Sequence, residues 1–94
     1  MDEEVKKEKV IEDWAIDRIE VGEPPDNFMA PVLKGFVEGQ RIRTGIIYWL
    51  DTKEKVAMTK KSIFKLGKPD GQWYNIVVAN GFKLEDMNIT DTVN

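Results

Sequence analysis

Residues 32–66 carry three turn signals with strand-length runs between them, and no other feature of the sequence narrows the fold as much. Gly39-Gln40 suits a two-residue type II′ turn, because glycine at the first central position accepts the positive φ that this turn demands. It sets Val37 opposite Ile42, Gly35 opposite Thr44 and Leu33 opposite Ile46, gathering small and aliphatic side chains on one face. The other face receives Lys34, Phe36, Glu38, Arg41, Arg43, Ile47 and Trp49. A loop of Thr52-Lys53-Glu54 pairs Asp51 with Lys55, and a turn through Lys60-Lys61-Ser62 places Met58 across from Phe64 and Val56 across from Leu66. Ten side chains then share one dry interior: Leu33, Val37, Ile42, Ile46, Tyr48, Leu50, Val56, Met58, Phe64 and Leu66. Antiparallel strands on such tight turns curl. The expected class is mainly β (α+β), a small SH3-like, partly open antiparallel β-barrel of four to five strands with one short helix near the C-terminus.

The flanking segments are less regular. Residues 1–9 are almost wholly charged and are expected to be disordered. Residues 10–21 fit neither a helical period nor a strand alternation, so helix and strand both stay open. Residues 22–31 contain three prolines and a glycine and are expected to be an irregular surface loop. Asp70 stands as an N-cap before a helix over residues 71–80, favoured over a strand, with Trp73, Ile76, Val77 and Asn80 on one face and Asn80-Gly81 as its stop. Phe82, Leu84, Met87 and Ile89 tie down a last short strand, and residues 90–94 are expected to be a loose tail. The domain therefore spans residues 10–89.

A chain of 94 residues is one domain with a small core, and the absence of cysteine removes disulfides and thiolate metal sites as supports. The absence of histidine removes the commonest general base and neutral metal ligand together. No catalytic, cofactor-binding or metal-ligating residues are expected, and the chain is read as a non-enzyme. Glu12-Asp13 and Glu85-Asp86 are carboxylate pairs without a partner motif. No apolar run suits a membrane helix, and the first ten residues are too charged for a secretory signal, so a cytoplasmic location is expected. The net charge of −3 is segregated: −6 over residues 1–33, +6 over residues 34–68 and −3 over residues 69–94. Such segregation serves either internal complementarity or a charged partner.

In order along the chain stand I-x-x-W (Ile11, Trp14), L-x-G-x-V (Leu33, Gly35, Val37), I-x-T-x-x-I (Ile42, Thr44, Ile47), Asp51, V-x-x-T (Val56, Thr59) and S-I-F-K-L-G-x-P from Ser62 to Pro69. This order resembles a group of short uncharacterised bacterial and phage proteins, in which a tryptophan segment precedes a small β-meander, a hydrophobic-Leu-Gly motif and a short helix. The likeness extends from Ile11 to about Met87 and departs at Gly45, where a serine is expected, and at Lys61, where a glycine is expected. It implies a fold and a phage or mobile-element setting, in a host cytoplasm, without implying an activity.

The candidate binding surface comprises Lys34, Phe36, Arg41, Arg43, Trp49, Lys60, Lys61 and Lys65. Cations interleaved with aromatics on a strand face are the pattern of single-strand nucleic-acid binders, and they equally describe strands covered by another segment. The lysines at positions 53, 55, 60, 61, 65 and 68 either attract phosphate or protect strand edges. The favoured reading is a small protein-binding module, with inhibition of a host defence protein as one form. Its alternative is a nucleic-acid-binding barrel. Oligomeric state is open, with residues 32–38 or 55–59 as possible exposed edges.

Overall fold

The computed structural model describes residues 7–90. Within them seven strands and one α-helix follow in order: β1 (Lys7–Val21), β2 (Phe28–Val37), β3 (Gln40–Ile46), β4 (Trp49–Asp51), β5 (Val56–Met58), β6 (Ser62–Leu66), α1 (Gly71–Ala79) and β7 (Ile89–Thr90), with a single 3₁₀ turn at Leu84–Met87. The strands make one strongly curled half-barrel sheet in the order β3-β2-β1-β6-β5-β4-β7. The mainly β class with one helix holds, and the strand count exceeds the expected four to five because β1 joins the sheet and the strand expected over residues 41–50 divides into β3 and β4, which lie at separate places in the sheet order.

β1 resolves the ambiguity of residues 10–21 in favour of strand. Lys7 to Ile11 pair in parallel with β6, whereas Glu12 to Val21 pair antiparallel with β2. Between Glu12 and Ala15 the register shifts, and Asp13 takes a positive φ of 49°. A bulge of this kind inserts a residue and changes the phase of the alternation. Ile11 and Trp14, three apart, are therefore both buried. β1 already runs from Lys7, so Lys7–Lys9 belong to the sheet and not to a disordered segment, and Thr90 belongs to β7; residues 1–6 and 91–94 lie outside the described part.

The expected loop over residues 22–31 is confined to a tight turn containing the cis Pro24-Pro25 bond, because β2 already starts at Phe28. Pro31 sits within β2, opposite Arg18, and its carbonyl accepts the Ile47 N–H at 2.9 Å. In the β2–β3 turn the central residues are Glu38 and Gly39, with φ of 51° and 81°, the requirement of a type I′ turn. Val37 thus pairs with Gln40 and Gly35 with Ile42, two residues from the expected register. A shift of two keeps every side chain on its face. A second bulge, between Val32 and Lys34 against β3, sets Val32 opposite Ile46. The Leu33 N–H displaced there is accepted by Thr44 Oγ1 at 3.0 Å, which explains a buried threonine.

The same bulge corrects the core. Ile47 is buried and Ile46 is 42 % exposed, the reverse of the expectation. The β4–β5 loop holds four residues instead of three, with Lys55 at positive φ, so Asp51 pairs with Val56 and the buried residue of β5 is Ala57. Asp51 Oδ1 fixes this loop by accepting the N–H groups of Lys53 and Glu54. The third turn shifts likewise: Met58 faces Ile63 and Ala57 faces Phe64. Of the ten expected core residues, Leu33, Leu50, Phe64 and Leu66 are buried, and Val37, Ile42, Tyr48, Val56 and Met58 are half-buried. Ile11, Trp14, Ile47 and Ala57 complete the central cluster.

The cluster turns on Trp14. Its indole N–H donates to the Gly67 carbonyl at 3.0 Å, its own carbonyl accepts the Asp70 N–H at 2.7 Å, and its ring lies 5.4 Å from that of Trp73. Gly35 lies directly beneath this crossing. A Cβ there would stand 2.7 Å from the Glu12 carbonyl oxygen and 2.9 Å from Ile11 Cγ1, so only glycine lets β2 pass under the bend of β1. Helix α1 follows, capped by Asp70 as expected, with Oδ2 accepting the Trp73 N–H at 2.9 Å and Asn80 closing the other end. Its expected inner face is only partly docked: Val77 is buried and Trp73 half-buried, while Ile76 is 57 % exposed and Asn80 is exposed.

Candidate functional site

The β2–β3 hairpin brings four of the eight expected surface residues together. Lys34 faces Arg43 and Phe36 faces Arg41 across the two strands, so all four project on one side of the sheet. The Arg41 guanidinium lies 5.4 Å from the centre of the Phe36 ring, a cation–π contact that also covers part of the ring. Lys34 Nζ is 3.5 Å from Asp17 Oδ2 on the adjoining strand β1. Asp17 is held below the ordinary carboxylate value, first because it accepts the Arg18 N–H at 2.8 Å and then because Lys34 and, more weakly, Arg43 lie nearby.

These side chains line an open groove of about 790 Å³ whose other wall is helix α1, through Gln72, Trp73 and Ile76. Ile16 and Ile42 add apolar surface, and Asp13, Asp17 and Asp70 place carboxylates along one side. The groove therefore combines a cationic strand face with an apolar helix wall.

The remaining expected residues lie elsewhere. Trp49 is half-buried on β4, paired with Met58 and Thr90, and in sheet order four strands separate β4 from β3. Lys60 and Lys61 form the β5–β6 turn, whose backbone N–H groups at Lys61 and Ser62 donate to Thr59 Oγ1. Lys65 is exposed on β6, between Val10 and Val56. Lys53 and Lys55 occupy the loop at the opposite end of β5, where Lys55 and Lys68 border a smaller hollow beside Glu12 and Leu84. The six lysines thus spread over both ends of the β4–β6 meander and form no single patch.

Both carboxylate pairs have structural partners. Glu12 Oε1 accepts the Lys68 N–H at 3.4 Å, and Asp86 Oδ2 accepts the Lys83 N–H at 2.8 Å. Among the described residues no three His, Cys, Asp or Glu side chains cluster closely enough to hold a metal ion, and no helix is long and apolar enough to cross a membrane. The sequence reading missed the part played by Trp73 and Ile76. The available signal was a nine-residue helix with Trp73, Tyr74, Ile76, Val77 and Val78, more apolar surface than one buried face uses. No family model, curated protein or solved structure matches the chain.

Proposed function

We propose that this chain is a small non-enzymatic protein-binding module, and that its partner docks in the groove between the β2–β3 hairpin and helix α1. The observation that carries this reading is the meeting of Lys34, Arg41 and Arg43 with an apolar wall of half-buried Trp73 and exposed Ile76. Cations on a rigid strand face select a carboxylate-bearing surface, and the helix wall supplies the apolar contact from which most of the affinity arises. In keeping with the resemblance to short phage and bacterial proteins, the partner in view is a host protein, with inhibition of a defence component as the role. Among small barrels we put the fold nearest the SH3-like class, on the support of its curl and its short β4–β6 connections.

Affinity capture from the host with wild type, Ile76→Glu and Met29→Glu tests the site. A specific host protein held by wild type and Met29→Glu and lost from Ile76→Glu supports the groove; equal retention by all three rejects it. The nucleic-acid alternative keeps Arg41 and Arg43 and loses Trp49 and the dispersed lysines as parts of one surface. Titration with single- and double-stranded DNA and RNA at two salt concentrations decides it: a steep fall in affinity with salt promotes that reading, and no binding at low salt removes it.

A further inference from the structure

We infer that the chain forms a weak twofold dimer in which the outer flank of helix α1 packs antiparallel on the same helix of a second copy. This proposal stands apart from the groove, because the helix presents a different side to each. Residues 71–82 carry no charge and are the longest uncharged run in a chain of which 33 % is charged. The helix is nevertheless buried only at Val77, while Tyr74 is 39 %, Val78 50 % and Phe82 52 % exposed. Single exposed apolar residues need no explanation, whereas an exposed helix flank without one charge does.

Helical geometry separates this flank from the groove. At about 100° per residue, Ile76 and Val78 stand on opposite sides of the buried Val77, and Ile76 is the one that lines the groove. Gly71, Tyr74 and Val78, spaced by three and four, share the other side. The helix stop fixes Phe82 at the far end: Gly81 takes a φ of 85° and donates its N–H to the Val78 carbonyl at 2.9 Å, and the Phe82 N–H donates to the Val77 carbonyl at 3.1 Å. The space beside Gly71 is open, since a Cβ there would meet nothing within 4 Å.

The flank is complementary to itself, and that names the occupant. Turned about a twofold axis and laid antiparallel, a second copy sets its Val78 against Tyr74 and its Phe82 over the open space at Gly71. The charges that bracket the run follow the same order. Lys68 and Asp70 precede the helix, Lys83 and Glu85 follow it, and Asp86 already accepts the Lys83 N–H. Asp70 precedes the first turn and borders both sides of the helix. Antiparallel packing brings Asp70 toward the second copy's Lys83 and Lys68 toward its Glu85, whereas parallel packing sets each charge against its like. It also places the positive end of each helix dipole beside the negative end of the other. Such self-complementarity is the requirement of an isologous interface. One flank of a helix roughly 13 Å long covers less than the roughly 800 Å² per partner of a stable complex, so the dissociation constant is expected on the order of 100 µM. A lipid surface fits the flank less well, because interfacial helices carry Lys and Arg beside their apolar face and α1 has neither.

Sedimentation equilibrium of the full chain from about 20 to about 500 µM tests the proposal, with the mass rising from that of one 10.8 kDa chain toward that of two. Val78→Glu should weaken association by about tenfold or more, because it sets a charge in the apolar contact. Ile76→Glu is the control: Ile76 is 57 % exposed but lies on the groove side, so its dimer should persist within about twofold. Gly71→Leu is the sharper variant. Its added side chain meets nothing in its own chain and would strengthen a non-specific apolar association, yet it should weaken this dimer by about tenfold by filling the space that receives Phe82. A wild type monomeric throughout the range, equal effects at Ile76 and Val78, or a dimer strengthened by Gly71→Leu would each overturn the proposal. So would a monomer that binds phosphatidylcholine vesicles and loses them in Val78→Glu, which would give the flank to a lipid surface.

Discussion

Two stretches of β1 less than ten residues apart have opposite surroundings. At Trp14 the strand is bonded on one side to the segment after β6, lies over Gly35 on the other and touches the helix ring to ring. At Ile19 it pairs with β2 alone, a two-stranded ribbon on which Phe28 and Met29 are 57 % exposed although Ala30 is buried. The first environment resists any change of volume, and the second tolerates change at its exposed positions. Constraint in this protein therefore follows the number of segments that cross a point, since residue type is apolar in both places.

Trp14→Ala probes the crossing most severely. It removes a buried ring and its hydrogen bond to Gly67, and chemical denaturation should show a loss of about 3–5 kcal/mol, enough to unfold a small domain. Met29→Ala on the ribbon should stay within about 0.5 kcal/mol by the same measurement. Similar losses at the two positions would break the contrast.

The two glycines beside β1 sharpen it. Gly35→Ala meets backbone atoms that cannot withdraw, and should cost about 1–3 kcal/mol. Gly67→Ala meets only the Glu12 carboxylate, the free end of a flexible side chain, so its cost should be smaller and should fall further in a Glu12→Ala background. A Gly67→Ala penalty that Glu12→Ala leaves unchanged would show that the backbone at Gly67 is itself constrained.

The smallest expected effect concerns Asp17, where the ribbon joins the groove. Its carboxyl is held below the ordinary value of 3.8, so its ionised form is favoured in the folded state. The resulting stabilisation is present above that value and disappears as pH falls through the lowered one. Unfolding midpoints of wild type and Asp17→Asn should therefore differ at neutral pH and converge in acid below about pH 4. A constant difference across that range would assign the effect to something other than charge.

Features governed by neighbours in sequence were legible. Asp70 capped its helix, Asn80 ended it, and the faces of Leu33, Gly35, Val37 and Ile42 came out correctly despite a misplaced turn, because the error was an even number of residues. Legibility failed where a single residue was inserted. The extra residue in the β4–β5 loop moved the core from Val56 and Met58 to Ala57, and the bulge at Thr44 exchanged Ile46 for Ile47. Neither insertion leaves a compositional trace. The parallel pairing of β1 with β6 is set by partners some 55 positions apart, and nothing near Lys7 announces it. At the candidate site, the hairpin cations were readable from alternation, whereas the helix wall was not, since its placement depends on Trp14 meeting Trp73.

The parallel ladder between β1 and β6 has a consequence for how the chain is made. On a ribosome β1 emerges before β6, so the Lys7–Ile11 part of it must wait until Leu66 has emerged before its ladder can close. Meanwhile the hairpins between β2 and β6 can assemble from local contacts alone, at far lower loop-closure cost. Half of β1 is thus a late arrival in folding although it is an early arrival in synthesis, and for that interval its unpaired edge is open to whatever chaperone or nascent chain lies nearby.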